Sequence, residues 1–325
     1  MTGKEITKVY KLSIIVPCYN EEETVEIFYQ ETQKVIKQLQ CEYEFIFVND
    51  GSKDKTLQKL RFLSQKDANV RYLSFSRNFG KESALFAGLK AATGDLITVM
   101  DADLQDPPEL LPEMVKAIFD EGYDCVGTRR TTRDGEPVIR SFFARMFYRI
   151  VNRIGEVEMV DGARDFRLMT RQMVDSILEL SEYNRFSKGL FSWVGYKTKY
   201  LTFENRERVA GQTSWSFWSL FKYSIDGIIN FSEAPLNIAS FIGAISCVGA
   251  VVAMIVVIIK TLIFKDPTTG WPSLVSIILF MGGLQLLCLG IIGKYIAKIF
   301  LETKKRPHYI VKETEKTRRG GDLDE

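Results

Sequence analysis

The sequence predicts an α/β protein, with a Rossmann-like, mainly parallel sheet followed by a membrane-crossing helical hairpin. Three observations predict it. Apolar runs rich in β-branched residues alternate with helical patterns as far as Glu121. Four of those runs end in polar, turn-forming residues. Further on, Ala234 to Ile259 and Pro267 to Gly293 contain no charged residue.

Leu12–Val16, Glu44–Val48, Val70–Phe75 and Leu96–Met100 read as strands, and Glu21–Gln40, Lys53–Gln65, Glu82–Ala92 and Pro108–Glu121 as helices. Strand–helix alternation implies a mainly parallel sheet with helices on both faces. Asn20 with Glu23 has the spacing of a capping box for the first helix, and Ser52 is placed to cap the second. Strand ends and helix starts gather on one edge of such a sheet, where ligands bind. Here that edge collects residues 17–21, 49–52, 77–81 and 101–106. Each alone is ordinary turn chemistry; the four together describe a crevice. No G-x-G-x-x-G or G-x-x-x-x-G-K-[ST] is present, so neither a dinucleotide fold nor a P-loop is supported.

The acids Asp101, Asp103 and Asp106 follow directly on the fourth strand. Alternate residues of a strand share a face, so Asp101 and Asp103 are expected to project together, with Gln105 following if the chain stays extended. Two carboxylates and an amide oxygen are hard ligands suited to Mg²⁺ or Mn²⁺. An acidic loop capping the next helix is the alternative.

Each uncharged run is about 26 residues, or roughly 39 Å as a helix, against a hydrocarbon core of about 30 Å. The spans are placed at about 234–260 and 271–296, within 234–300. Lys294, Lys298, Lys304, Lys305 and Arg306 crowd the end of the second span, which marks that side as cytoplasmic. The polar start of the chain has no signal-peptide apolar region, so residues 1–213 are expected in the cytosol of a multi-pass cell-membrane protein. Residues 214–233, rich in aromatics from Trp215 to Phe231, read as an interfacial amphipathic helix, and 301–325 as a basic cytosolic tail. The tail after Pro307 is expected to be disordered, with His308 in solvent. Net charge is +2, which does not point to nucleic acid. The five cysteines, at 18, 41, 125, 247 and 288, have no paired spacing and read as reduced thiols. Gly243, Gly249, Gly282, Gly283 and Gly290 permit close helix packing, as in a homo-oligomer. Arginines are frequent from 129 to 165; most read as a solvated or lipid-facing basic surface.

These residues resemble the family 2 glycosyltransferases of GT-A fold, and across nearly the whole chain the polyprenyl-phosphate group that includes dolichol-phosphate-mannose synthases and bactoprenol glucosyltransferases. The resemblance is carried by Val16-Pro17-Cys18-Tyr19-Asn20-Glu21-Glu22, Asn49-Asp50-Gly51-Ser52, Arg77-Asn78-Phe79-Gly80-Lys81, Asp101 to Pro108, and Asp165-Phe166-Arg167-Leu168-Met169. It implies that Pro17, Tyr19, Glu21, Asp50, Asp101, Ala102, Asp103 and Arg208 bind a nucleotide sugar. It implies that Asp101, Asp103 and Gln105 hold Mg²⁺ or Mn²⁺ on its diphosphate. Arg129 and Arg140 fall where the family meets the acceptor phosphate. Asp165, with Asp103, is the expected catalytic residue, as a base or as a positioner of the acceptor; a structural ion pair with Arg164 or Arg167 is the alternative. The loop of Arg208 has Ser214 where the family commonly carries Lys.

The implied reaction is inverting transfer of one sugar from a UDP-sugar, glucose or N-acetylglucosamine, to undecaprenyl phosphate, giving a lipid-linked donor for the cell envelope. A processive polysaccharide synthase and a non-catalytic membrane scaffold are the other readings. Gly211-Gln212-Thr213-Ser214-Trp215 lacks the Arg of the synthase motif Q-x-x-R-W.

Overall fold

The structure is a computed structural model that describes residues 9–130, 152, 160, 162–180, 182–204, 229, 232–264 and 270–317. Among the described residues eight strands form one sheet: β1 (Lys11–Cys18), β2 (Glu42–Asn49), β3 (Val70–Phe75), β4 (Leu96–Val99), β5 (Cys125–Arg130), β6 (Ala163–Thr170), β7 (Thr198–Phe203) and β8 (Val311–Thr314). Their spatial order is β7-β5-β6-β4-β1-β2-β3-β8. The four strands read from the sequence form the parallel centre, β4-β1-β2-β3. Antiparallel β6 flanks β4, antiparallel β5 flanks β6, and β7 runs parallel to β5.

The central strands are apolar at successive positions because both faces are covered, as parallel sheets require. Leu12, Ile14, Val16, Phe45 and Phe47 pack on one face beneath α1 (Val25–Ile36), α2 (Thr56–Lys66) and α4 (Leu111–Glu121). Ile15, Ile46, Val48 and Val99 pack on the other with α3 (Lys81–Ala91) and α5 (Arg171–Glu179). Gly88 lets α3 approach closely, since a Cβ there would run into the Ile15 side chain.

Four local expectations are corrected. Asn20 and Ser52 cap no helix: α1 starts after Thr24 and α2 after Lys55. Asn20 instead takes a left-handed φ of 56° and ties two loops together. The fourth strand ends at Val99 and a turn begins at Ala102, so the acids that follow are not on an extended strand. The tail is not a free coil over its described residues: β8 pairs antiparallel with β3 and lies along that edge of the sheet. His308 is half-buried between rings rather than in solvent, stacked on Tyr183 and edge-on to Phe86.

A short helix, α6 (Ser187–Trp193), precedes two long ones, α7 (Ala234–Phe264, 31 residues) and α8 (Trp271–Thr303, 33 residues). Both long helices exceed the expected spans, and both are long and apolar enough to cross a membrane. They pair with each other: Cys288 Sγ meets the Ala239 carbonyl at 3.8 Å, and the Tyr295 hydroxyl donates to the carbonyl of Ser232, just before α7, at 2.7 Å. The five glycines named for close packing face open space. Apart from 229, 232 and 233, the interfacial segment 214–233 lies outside the described residues.

Candidate active site

The C-terminal edge of the sheet is organised by hydrogen bonds between loops. After β1, the Asn20 amide donates to Ser52 Oγ at 2.9 Å, and Lys53 N–H donates to Asn20 Oδ1 at 2.9 Å. Glu21 N–H donates to Thr56 Oγ1 and Glu22 N–H to Asp54 Oδ2. The paired loops border a cleft of about 420 Å³ lined by Asn20, Glu21, Lys53 and Asp54, among others. Pro17 and Glu21 are partly buried, and Tyr19 presents 41 % of its surface.

Asp50 is buried and locks the loop after β3. Its two oxygens accept the N–H groups of Phe79 (2.6 Å) and Gly80 (2.9 Å). Burial raises its pKa even so. Gly51 beside it is at φ +65°, with the Arg77 backbone filling the place of a Cβ. That loop delivers Lys81 to the first turn of α3.

Lys81 is the residue the sequence reading missed. Its Nζ lies 2.8 Å from Asp101 Oδ1 and 2.6 Å from Asp165 Oδ2, bridging two acids from separate strand ends. Burial would lower its pKa, but the two carboxylates raise it. Asp165 is set here by the register of β6 on β4, which pairs Val99 with Arg167. The expected alternative, an ion pair of Asp165 with Arg164 or Arg167, is not what forms. Burial pushes the Asp165 carboxyl up; Lys81 first and Lys188 second outweigh it and hold the group far below the usual carboxylate range. A carboxylate so stabilised is a poor proton acceptor.

Arg164 turns the other way. Its Nε donates to Asp106 Oδ1 at 2.8 Å and Nη2 to Gln105 Oε1 at 3.3 Å. Asp106 Oδ2 is buried with no hydrogen-bond partner. Burial pushes the Asp106 pKa up to about 6 against the pull of Arg164, with Asp101 and Asp103 adding repulsion. Asp103 Oδ1 accepts the Gln105 N–H at 3.1 Å, an Asx turn helped by Leu104 at φ 54°. Ala102 is buried between the acids.

These donors suit a hard divalent cation: all are oxygens, and one buried carboxylate oxygen nearby lacks a partner. Among the described residues no three His, Cys, Asp or Glu side chains form a ready-made cage. Two carboxylates and an amide supply fewer ligands than Mg²⁺ takes, which suits an ion that shares its ligands with a substrate. Arg129 is exposed on β5, opposite Ala163. Arg140 and Arg208 lie outside the described residues.

Residues 13–178 match the model of the glycosyl transferase family 2. That range runs from β1 into α5 and contains all of the acids above. CsbB of Bacillus subtilis (strain 168) is 45 % identical over 93 % of this chain and 91 % of that protein. A prophage bactoprenol glucosyl transferase homolog of Escherichia coli (strain K12) is 41 % identical over 94 % of this chain and all of that protein. The bactoprenol glucosyl transferase of Shigella phage SfX is 40 % identical over 93 % and 99 %. Among solved structures, mannosyl-3-phosphoglycerate synthase from Rubrobacter xylanophilus aligns at 16 % identity over 67 % of this chain and 72 % of that one, with a TM-score of 0.47.

Proposed function

The chain belongs to glycosyl transferase family 2, and from that membership we propose that it transfers a single sugar from a UDP-sugar to a polyprenyl phosphate at a membrane. The observation that carries the proposal is the convergence of Asp101, Asp103, Asp106 and Asp165 with Lys81 and Arg164 at the C-terminal edge of the sheet. Relatives named as bactoprenol glucosyl transferases, matched over nearly their whole length, support a lipid phosphate as acceptor. Glucose and N-acetylglucosamine are the proposed sugars, undecaprenyl phosphate the acceptor, and a lipid-linked sugar for the cell envelope the product.

Pro17, Tyr19, Glu21 and Asp50 lie along the edge where the nucleoside would bind, and Ala102, buried between Asp101 and Asp103, would belong to the same nucleotide-sugar site. Asp101, Asp103 and Gln105 would hold Mg²⁺ or Mn²⁺, which as a Lewis acid stabilises charge on the leaving diphosphate. The nucleophile is a phosphate oxygen. Phosphate monoesters have a second pKa near 6, so the acceptor is largely ionised at neutral pH. A strong base is therefore unnecessary, which fits the low proton affinity of Asp165. Held by Lys81, Asp165 stays charged and orients the cations that meet the acceptor. Arg129, with Arg140 and Arg208 from the segments outside the described residues, adds positive charge for phosphate. A single displacement inverts the anomeric carbon. The two long apolar helices would anchor the domain at the surface that carries its acceptor, with the catalytic side cytoplasmic.

The test is transfer of radiolabelled sugar from UDP-glucose and UDP-N-acetylglucosamine into organic-extractable lipid by membranes carrying the full chain. Lipid-linked monosaccharide is expected. Long polymer would indicate a processive synthase, and no incorporation from any donor a non-catalytic scaffold; either outcome overturns the proposal.

A further inference from the structure

Between α5 and α6 runs a segment that touches the second apolar helix at one end and Asp165 at the other. The Glu302 carboxylate, in the last turn of α8, accepts the Tyr183 N–H at 2.9 Å and the Asn184 N–H at 3.1 Å. It also accepts from Asn184 Nδ2 at 3.2 Å, and Lys298 Nζ donates to Asn184 Oδ1 at 3.3 Å. Arg185 is buried, donates to the carbonyls of Leu180 and Ile177, and lies over the Phe86 ring. The N–H and hydroxyl of Ser187 both donate to Glu82, the neighbour of Lys81 on α3. The next residue is Lys188.

The cations around Asp165 are not equally committed. Lys81 is bonded to two carboxylates, Arg164 to Asp106, and Arg167 lies 3.8 Å over the Phe191 ring. Among the described residues Lys188 has only long contacts, 4.0 Å to Asp165 Oδ1 and 3.4 Å to the Ala163 carbonyl, and its side chain is 30 % exposed. Lys188 therefore stands beside Asp165 without a short partner among the described residues, and through residues 183–187 it is tied to the end of a membrane-type helix.

We infer that Lys188 receives the phosphate of a lipid phosphomonoester beside Asp165, and that Glu302 positions it through residues 183–187. This rests on the acceptor reading above. A lipid whose tail lies beside α8 meets this segment first, and a cation without a short partner gains most from a dianionic phosphate.

The test uses the full chain in detergent and compares binding of undecaprenyl phosphate with undecaprenol, which lacks the phosphate. The native protein should prefer the phosphate. Lys188→Met should lose about tenfold or more of that preference, as expected for a charge-assisted contact, and Lys188→Arg should regain most of it. Glu302→Ala should weaken the preference in the native background but add nothing to Lys188→Met. Inorganic phosphate should compete poorly. If the native protein shows no preference for phosphate over alcohol, the acceptor reading falls and this inference with it. A native preference that Lys188→Met retains while still folded removes Lys188 alone. Additive effects of the two substitutions remove the role of Glu302, and equal competition by inorganic phosphate removes the lipid.

Discussion

The two edges of the sheet each bury an acid, and they treat it in opposite ways. At the edge where the strands begin, Glu44 is 3 % exposed and bonded on both oxygens. Oε1 accepts from Ser13 Oγ at 2.7 Å and from Thr93 N–H and Oγ1 at 2.8 and 2.7 Å; Oε2 accepts from Arg71 Nη1 at 2.8 Å. Burial pushes its pKa up, but the bonds from Ser13, Thr93 and Arg71 bring it down to about 2. At the edge where the strands end, Asp106 is as buried but keeps an unpartnered oxygen, and its pKa rises to about 6. The first cluster is complete within the chain and serves stability. The second gathers like charges that the chain only partly neutralises, as functional sites do.

That contrast can be broken by substitution. Glu44→Ala leaves three donors of Ser13 and Thr93 without their acceptor and takes one of Arg71's, so it should cost about 3–5 kcal/mol of unfolding free energy while leaving turnover per folded molecule unchanged. Chemical denaturation of the full chain measures this; a cost below about 1 kcal/mol would mean that the cluster is not structural. Asp103→Asn should do the reverse. Sugar transfer should fall about 10²–10³-fold, in line with loss of one charge-stabilising group, with the denaturation midpoint unchanged. Native turnover in that variant would count against the metal assignment.

The acid limb of stability sharpens the same comparison. The folded Glu44 pKa lies below its ordinary 4.5, so its carboxylate contributes fully above that value, and the contribution is lost as pH falls through about 2. About 3 kcal/mol is at stake. The difference in unfolding free energy between the native chain and Glu44→Gln should therefore shrink from pH 5 to pH 2, and a constant difference would exclude the assignment. Lys81→Met leaves Asp101 and Asp165 facing each other. It should lower the unfolding temperature in chelator by the equivalent of about 1–3 kcal/mol, and Mn²⁺ should close part of that gap. The smallest effect is expected at the tail. Glu313 pairs with Arg61 at 2.5 Å and accepts from the Tyr72 hydroxyl at 2.7 Å, so Glu313→Ala should cost about 1 kcal/mol and loosen β8, read by amide exchange.

Much of this was legible in the chain order. The central strands, their helices and the apolar pair of long helices declare themselves through local patterns of hydrophobicity. The acids at 101, 103 and 106 lie within six residues, so they had to cluster. Asn20 misled because its polar side chain serves a cap and a loop tie equally well, and only the approach of the β2 loop selects between them. The tail misled for a related reason: four residues of β8 carry no strand signal until an open edge of β3 accepts their backbone hydrogen bonds.

Local order along the chain was enough to specify the α/β alternation, the edge on which chemistry gathers and the two lipid-length helices, because burial and period act on neighbouring residues. The union of Lys81 with Asp165, 84 positions apart, was decided in three dimensions. So were the bond from Glu302 to residues 183–184 and the difference between the two buried acids. Each depends on which strand lies beside which, and that order is set by packing of the whole sheet, a quantity that no short window of sequence contains.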